Sequence, residues 1–219
     1  MNTVTTTGNQ RTKGLTQVAL FAALIFLMAF TPFLGYIPLG FTRATIIHIP
    51  VIIGSLILGP GKGAFLGGIF GLTSFLNNTF NPTATSFVFS PFYSLGEVSG
   101  GVESLIICFL PRILVGVVPY FVYRLVIKLG KKDRVSTVGL ALAGVSGALT
   151  NTLLVMNLIF LFFGNSYAAA SKATKTGYGF ILSIIGINGV PEAIVAGILV
   201  VLVGKVLMRK SVMQRLGLR

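Results

Sequence analysis

The chain has 219 residues, of which 54% are hydrophobic and 10% charged, and its mean hydropathy is +0.92. Soluble domains carry about 25% charged residues, so this composition argues against a water-soluble globular protein and for a polytopic membrane protein. The net charge of +13 would suggest nucleic acid in a soluble chain, but the cations here collect at the ends of apolar segments, where they orient a chain in the membrane.

Residues 1–14 are polar, with Arg11 and Lys13 just before the first apolar run. That run begins at Leu15, is about 20 residues long and has no small-residue cleavage site behind it, so it reads as a span and not as a cleavable signal. It covers residues 15–34 and carries Ala19 and Ala23, a small-residue pair at spacing four. Such a pair serves close helix packing, either inside the chain's own bundle or against another subunit. Pro32, Gly35 and Pro38 end the helix.

Residues 41–58 and 63–76 follow, joined by the turn Gly59-Pro60-Gly61-Lys62. Both are short for a hydrocarbon core of about 30 Å, so they either use their flanks to cross or form a re-entrant hairpin. Arg43 and His48, the single histidine, fall in the first of the pair, and His48 beside Pro50 reads as a helix-end hydrogen-bonding group before it reads as a ligand. Gly63, Gly67 and Gly71 recur every fourth residue and share one helix face, which lets a neighbouring helix approach closely.

The segment 77–101 is too polar for lipid and too rich in phenylalanine for an ordinary exposed loop. It contains Asn77, Asn78, Ser86, Phe87, Phe89, Phe92 and Tyr93. Loops beyond about 12–15 residues in a compact domain are usually functional or disordered, and the aromatic density argues against disorder. The fourth span is 103–128, with Pro111-Arg112 and Pro119, followed by a basic linker at Lys128, Lys131, Lys132 and Arg134. The fifth is 137–163, with Ser146, Thr150 and Asn157 near one face and Asn151 beside it. The last is 178–208, with Asn188, Pro191 and Glu192, and residues 209–219 form a basic tail.

Six spans place both termini on one side. The cations divide unevenly between the two sides, and the excess on the terminal side assigns both termini to the cytoplasm and the 77–101 loop to the exterior. The expectation is an all-α integral membrane protein: six transmembrane helices in one compact bundle over 15–208, with a long external loop between the third and fourth.

Ionisable groups inside spans are costly and default to functional hypotheses. Two stand out, Arg112 and Glu192, each directly after a proline. A helical proline frees the carbonyl four residues back, so Ile107 and Ile187 are expected to offer carbonyls near these side chains. Arg112 and Glu192 either pair with each other, or Arg112 meets an anionic ligand in a cavity. Asn188 and Glu192, one turn apart, share a face. The polar groups on spans four, five and six converge, with the aromatic loop as a lid.

The single cysteine, Cys108, excludes an internal disulfide and a cysteine metal cluster. The Gly-Pro-Gly-Lys turn lacks the spacing and the Ser or Thr of a phosphate-binding loop. No paired carboxylates, zinc-binding helix or nucleophile–histidine pair suits hydrolysis, and no internal repeat of the secondary-transporter kind is evident. The pattern is that of a binder driven from elsewhere, with no cofactor of its own and no nucleic-acid partner.

With these residues in view, the chain resembles the substrate-binding S components of energy-coupling factor (ECF) vitamin transporters. The resemblance rests on six short spans, the Ala19–Ala23 pair, the run HIPVIIGSLILGPGKGA and the long loop after the third span. It implies a vitamin-like ligand near the outer face, docking through Ala19 and Ala23 on a coupling transmembrane subunit, and two ATPase subunits that hold the ATP. It further implies inward delivery by toppling of the S component in the membrane. NNTFNPTATSFVFSPF and LPRILVGV are most similar to pantothenate-type members, with pyridoxine-like, thiamine-precursor, biotin and folate ligands as alternatives. On that basis the expected substrate residues are Arg112 for a carboxylate, Asn78, Ser86, Asn151, Asn157, Asn188 and Glu192 for polar groups, and Phe89 and Tyr93 as cover. A ligand-free scaffold subunit and a self-powered channel or carrier are the rival classes.

Overall fold

The computed structural model describes residues 4–31, 34–39, 42–130, 136–170 and 177–215, with side chains over the same ranges except 4–11, 36–39, 42–44 and 215. The elements in order are α1 (Val4–Phe30), a hairpin of β1 (Tyr36–Leu39) and β2 (Thr42–Thr45), α2 (His48–Leu58) and α3 (Pro60–Phe80). A loop with one 3-10 turn (Ser86–Val88) and a small pairing of β3 (Ser94–Leu95) with β4 (Val98–Ser99) leads to α4 (Val102–Val115) and α5 (Val118–Gly130). Then come α6 (Thr137–Ala170), α7 (Tyr178–Ile184), a π turn (Ile185–Gly189), α8 (Val190–Leu207) and the short α9 (Lys210–Arg215).

Among the described residues, four stretches are long and apolar enough to cross a membrane: Thr12–Phe30, Val102–Gly130, Thr137–Ala170 and Tyr178–Leu207. They correspond to the first, fourth, fifth and last expected spans. The second differs. Residues expected to open one apolar segment at 41 instead form β2, and α2 is an 11-residue helix starting at His48. At about 1.5 Å per residue such a helix covers only about half of a hydrocarbon core.

The third expected span is longer than its apolar run. α3 runs through Asn77 and Asn78 to Phe80, so these asparagines belong to its last turn and not to the loop. Their neighbourhood explains the extension: Asn78 Nδ2 donates to the Ser74 carbonyl at 2.8 Å and Thr79 Oγ1 to that of Phe75 at 2.8 Å. Polar side chains satisfied by the helix's own carbonyls do not end it. α6 likewise continues past the expected end, with its backbone bent at Phe163, where φ is −134°.

The glycine pattern explains how α3 packs. At Gly59, φ is +94°, a conformation that a side chain strains, and the chain reverses there from α2 into α3. A methyl group on Gly67 would collide with the carbonyl of Arg112, one on Gly63 with that of Gly116, and one on Gly71 would sit 3.2 Å from that of Cys108. Both helices advance by four residues per contact, so α3 lies backbone to backbone on α4. Ser55 of α2 adds a hydrogen bond to the Gly116 carbonyl at 2.6 Å, and Cys108 Sγ one to that of Gly71 at 3.3 Å.

One apolar cluster joins α1, α2, α3, α5, α6 and α8 around Ile25, Ile52, Leu66 and Leu140. A second forms where the loop meets α4 and α6: Phe87, fully buried, packs with Val88, Ile107, Val155 and Ile159, and meets Phe163 edge-on at 5.6 Å. The loop is thereby anchored on the helices beneath it.

Candidate functional site

Between α1, α3, α4, α6, the π turn and the anchored loop lies a cavity of about 770 Å³. That is within the range of about 300–1,000 Å³ typical of small-molecule sites.

Arg112 reaches it from α4. Pro111 stands inside the helix and has no N–H to offer Ile107, and Arg112 Nη1 donates to that carbonyl at 2.6 Å. The guanidinium carbon lies 5.7 Å from the Phe70 ring centre and 5.1 Å from that of Phe89. These are cation–π distances. Only 7% of Arg112 is exposed, so its charge acts in a weakly screened environment. Its placement follows from the glycine ladder: α3 sits directly on the Arg112 backbone at Gly67, and Phe70 is one turn further on.

The other walls are polar. Asn151 of α6 and Asn188 of the π turn line the cavity, and the amide oxygen of each is buried without a hydrogen bond. Buried amide groups are normally satisfied, so both are available to a ligand. The end of α3 contributes Ser74, Asn77 and Asn78, and the loop contributes Asn81, Thr83, Thr85 and Phe89. Asn78 is itself held in place, since its Oδ1 accepts from Ser86 Oγ at 2.8 Å and Ser86 Oγ also accepts from the Thr83 amide at 2.8 Å.

Five of the nine expected substrate residues therefore meet at one cavity: Asn78, Phe89, Arg112, Asn151 and Asn188. Four stand elsewhere. Ser86 is fully buried and braces the loop from behind. Tyr93 packs against the Phe87 cluster. Asn157 is exposed on α6, donates to the Leu153 carbonyl at 2.7 Å and accepts from the Tyr178 hydroxyl at 2.9 Å. Glu192 is buried, and its Oε1 lies 3.4 Å from Nδ1 of His48. Phe70, Thr83, Thr85, Met156 and Tyr167 line the cavity and were not singled out in the sequence. Phe70 carries a signal, because it follows a ladder glycine by three residues; Tyr167 does not, because it lies beyond the expected end of the fifth span.

Ala19 and Ala23 are exposed on α1, beside the exposed Leu20, Leu24 and Leu27. Packing inside the chain's own bundle is therefore not their use.

The profile of the family "ECF transporter, substrate-specific component" matches residues 13–204. The chain belongs to this family. Among its relatives, the pantothenic acid transporter PanT of Lactococcus lactis subsp. cremoris is 42% identical over 185 residues, 83% of this chain and 87% of the relative. The pantothenate transporter PanT of Leuconostoc mesenteroides subsp. mesenteroides is 30% identical over 221 residues, 96% of this chain and 98% of the relative. An ECF substrate-specific component is a membrane transport subunit and not an enzyme, and membership implies a vitamin-type ligand and an ECF module as partner.

Proposed function

We propose that this ECF component captures pantothenate from outside the cell in the Arg112 cavity and releases it inward when docked to its ATP-driven module. The observation that carries the reading is the buried cation at the cavity wall, Arg112, held between Phe70 and Phe89, with the unsatisfied amide oxygens of Asn151 and Asn188 in the same cavity. A guanidinium suits a carboxylate, and amide oxygens suit hydroxyl and amide donors. Pantothenate carries all of these in one small molecule, and the two PanT relatives bear its name.

In this reading the chain crosses the membrane six times. α2 with its flanks makes one crossing and α3 the next, in addition to the four long spans. Both termini are cytoplasmic, and the loop between α3 and α4 is external and covers the cavity. Asn78, Phe89, Arg112, Asn151 and Asn188 bind the ligand, while Ser86 and Tyr93 support the loop. The exposed Ala19–Ala23 face of α1 docks on the coupling transmembrane subunit, and two ATPase subunits hold the ATP, so this chain needs no cofactor.

The test is thermal unfolding of the purified chain in detergent against a panel of water-soluble vitamins. A ligand that binds only the folded state must raise the melting temperature. A rise with pantothenate is expected. A rise with another vitamin in its place would replace the substrate, and a folded chain that responds to none would return the weight to a scaffold role.

A further inference from the structure

The cavity wall supplied by the last span is built on an irregular turn, and the groups that fix this turn lie behind the wall. Asn188 reaches the cavity from the π turn Ile185–Gly189. A π turn holds more residues than the α repeat, and such turns concentrate at functional positions. One residue of register corresponds to about 100° around the helix axis. The same segment relaxed into α register would carry Asn188 off the cavity. Pro191 favours the irregular turn by withholding a donor from the Ile187 carbonyl, but a proline does not by itself choose a register.

Glu192 follows Asn188 by four residues and so lies on the same helix face. It does not line the cavity; with 6% exposure it points to α2, where His48 is fully buried at the first helical position. Its Oε1 and the Nδ1 of His48 are 3.4 Å apart, and both nitrogens of His48 and this oxygen lack a hydrogen bond of good geometry. Moving either polar group away from the other into apolar surroundings costs free energy, so the contact favours α8 against α2. The same junction reaches the cavity from the other side: Thr45, three residues before His48, lines it, and β2 packs on the π turn.

We infer that the His48–Glu192 contact is a latch that fixes the π register and aims Asn188 into the cavity. Glu192 and His48 are positioning residues for ligand recognition, acting through Asn188 without touching the ligand. This rests on the reading of the cavity as the ligand site.

A double-mutant cycle on the full chain tests it, with pantothenate as the probe and affinity measured by calorimetry. Asn188→Ala and Glu192→Ala should each weaken binding by about tenfold, and the double variant should be no weaker than Asn188→Ala within about twofold, because both act through one group. Glu192→Gln, which keeps the shape and a polar contact with His48, should retain affinity close to wild type. Losses that multiply to about a hundredfold in the double variant overturn the latch, as does unchanged affinity in Glu192→Ala or a tenfold loss in Glu192→Gln. Where Glu192→Ala does not fold, His48→Ala breaks the same contact from α2 and closes an equivalent cycle. A folded wild type that does not bind the probe overturns the cavity reading and the latch together, whereas multiplying losses on a binding wild type overturn the latch alone.

Discussion

The side chain of Arg112 is tied to the carbonyl of Ile107, five residues earlier on its own helix, by a hydrogen bond of 2.6 Å. That carbonyl is open because Pro111 cannot donate to it. The proline thus provides both a place to anchor the cation and a reason for it to be buried. The bond also holds the guanidinium against the rings of Phe70 and Phe89, which limits the rotamer freedom that binding would otherwise cost.

Arg112→Ala should therefore abolish pantothenate binding, a loss of about a hundredfold or more, while the protein still inserts and folds. Arg112→Lys should recover only part of the affinity, because an ammonium lacks the planar fork. Equilibrium binding to detergent-purified variants decides this, and undiminished affinity in the alanine variant would contradict the assignment.

The glycine ladder makes a paired prediction. A methyl group on Gly67 would meet the Arg112 backbone, whereas one on Gly68 meets nothing within 4 Å. Gly67→Ala should destabilise the fold by about 1–3 kcal/mol through overpacking and weaken ligand binding by shifting α4. Gly68→Ala should leave both unchanged. Thermal unfolding of the two variants side by side checks the claim.

Much of this was legible in the sequence, because it depends on local chemistry. The four long apolar spans follow from hydropathy, the Gly63–Gly67–Gly71 face from spacing, and the freed Ile107 carbonyl from the position of Pro111. What was not legible depends on how helices meet. Nothing local says that α2 begins at His48 after a β-hairpin, or that Glu192 faces His48. On span five the cavity takes Asn151, beside the expected face of Ser146, Thr150 and Asn157, and leaves Asn157 outside; the two asparagines are six residues apart, about 240° around a helix.

Asn151→Ala and Asn157→Ala should accordingly behave differently. The first removes a buried amide facing the cavity and should weaken binding by about tenfold, in the range expected for a hydrogen bond lost from a buried group. The second removes exposed hydrogen bonds to the Leu153 carbonyl and the Tyr178 hydroxyl, away from the cavity, and should leave affinity unchanged. Calorimetric titration of both variants with pantothenate separates them.

The loop is held chiefly by Phe87, which is fully buried and receives a hydrogen bond at its carbonyl from Ser104 Oγ at 2.7 Å. Phe87→Ala should cost about 3–5 kcal/mol at this anchor. The expected signature is faster ligand release and earlier proteolytic cleavage within the loop, with little change in the rest of the bundle.

One folded chain, without its partners, is expected to hold one pantothenate against Arg112. The most direct measurement is equilibrium binding of labelled pantothenate to the purified wild-type chain and to Arg112→Ala in parallel. Saturable binding of one molecule per chain to the wild type, and none to the variant at the same concentrations, is expected. A folded wild type that retains no pantothenate, or a variant that binds it equally well, would contradict it.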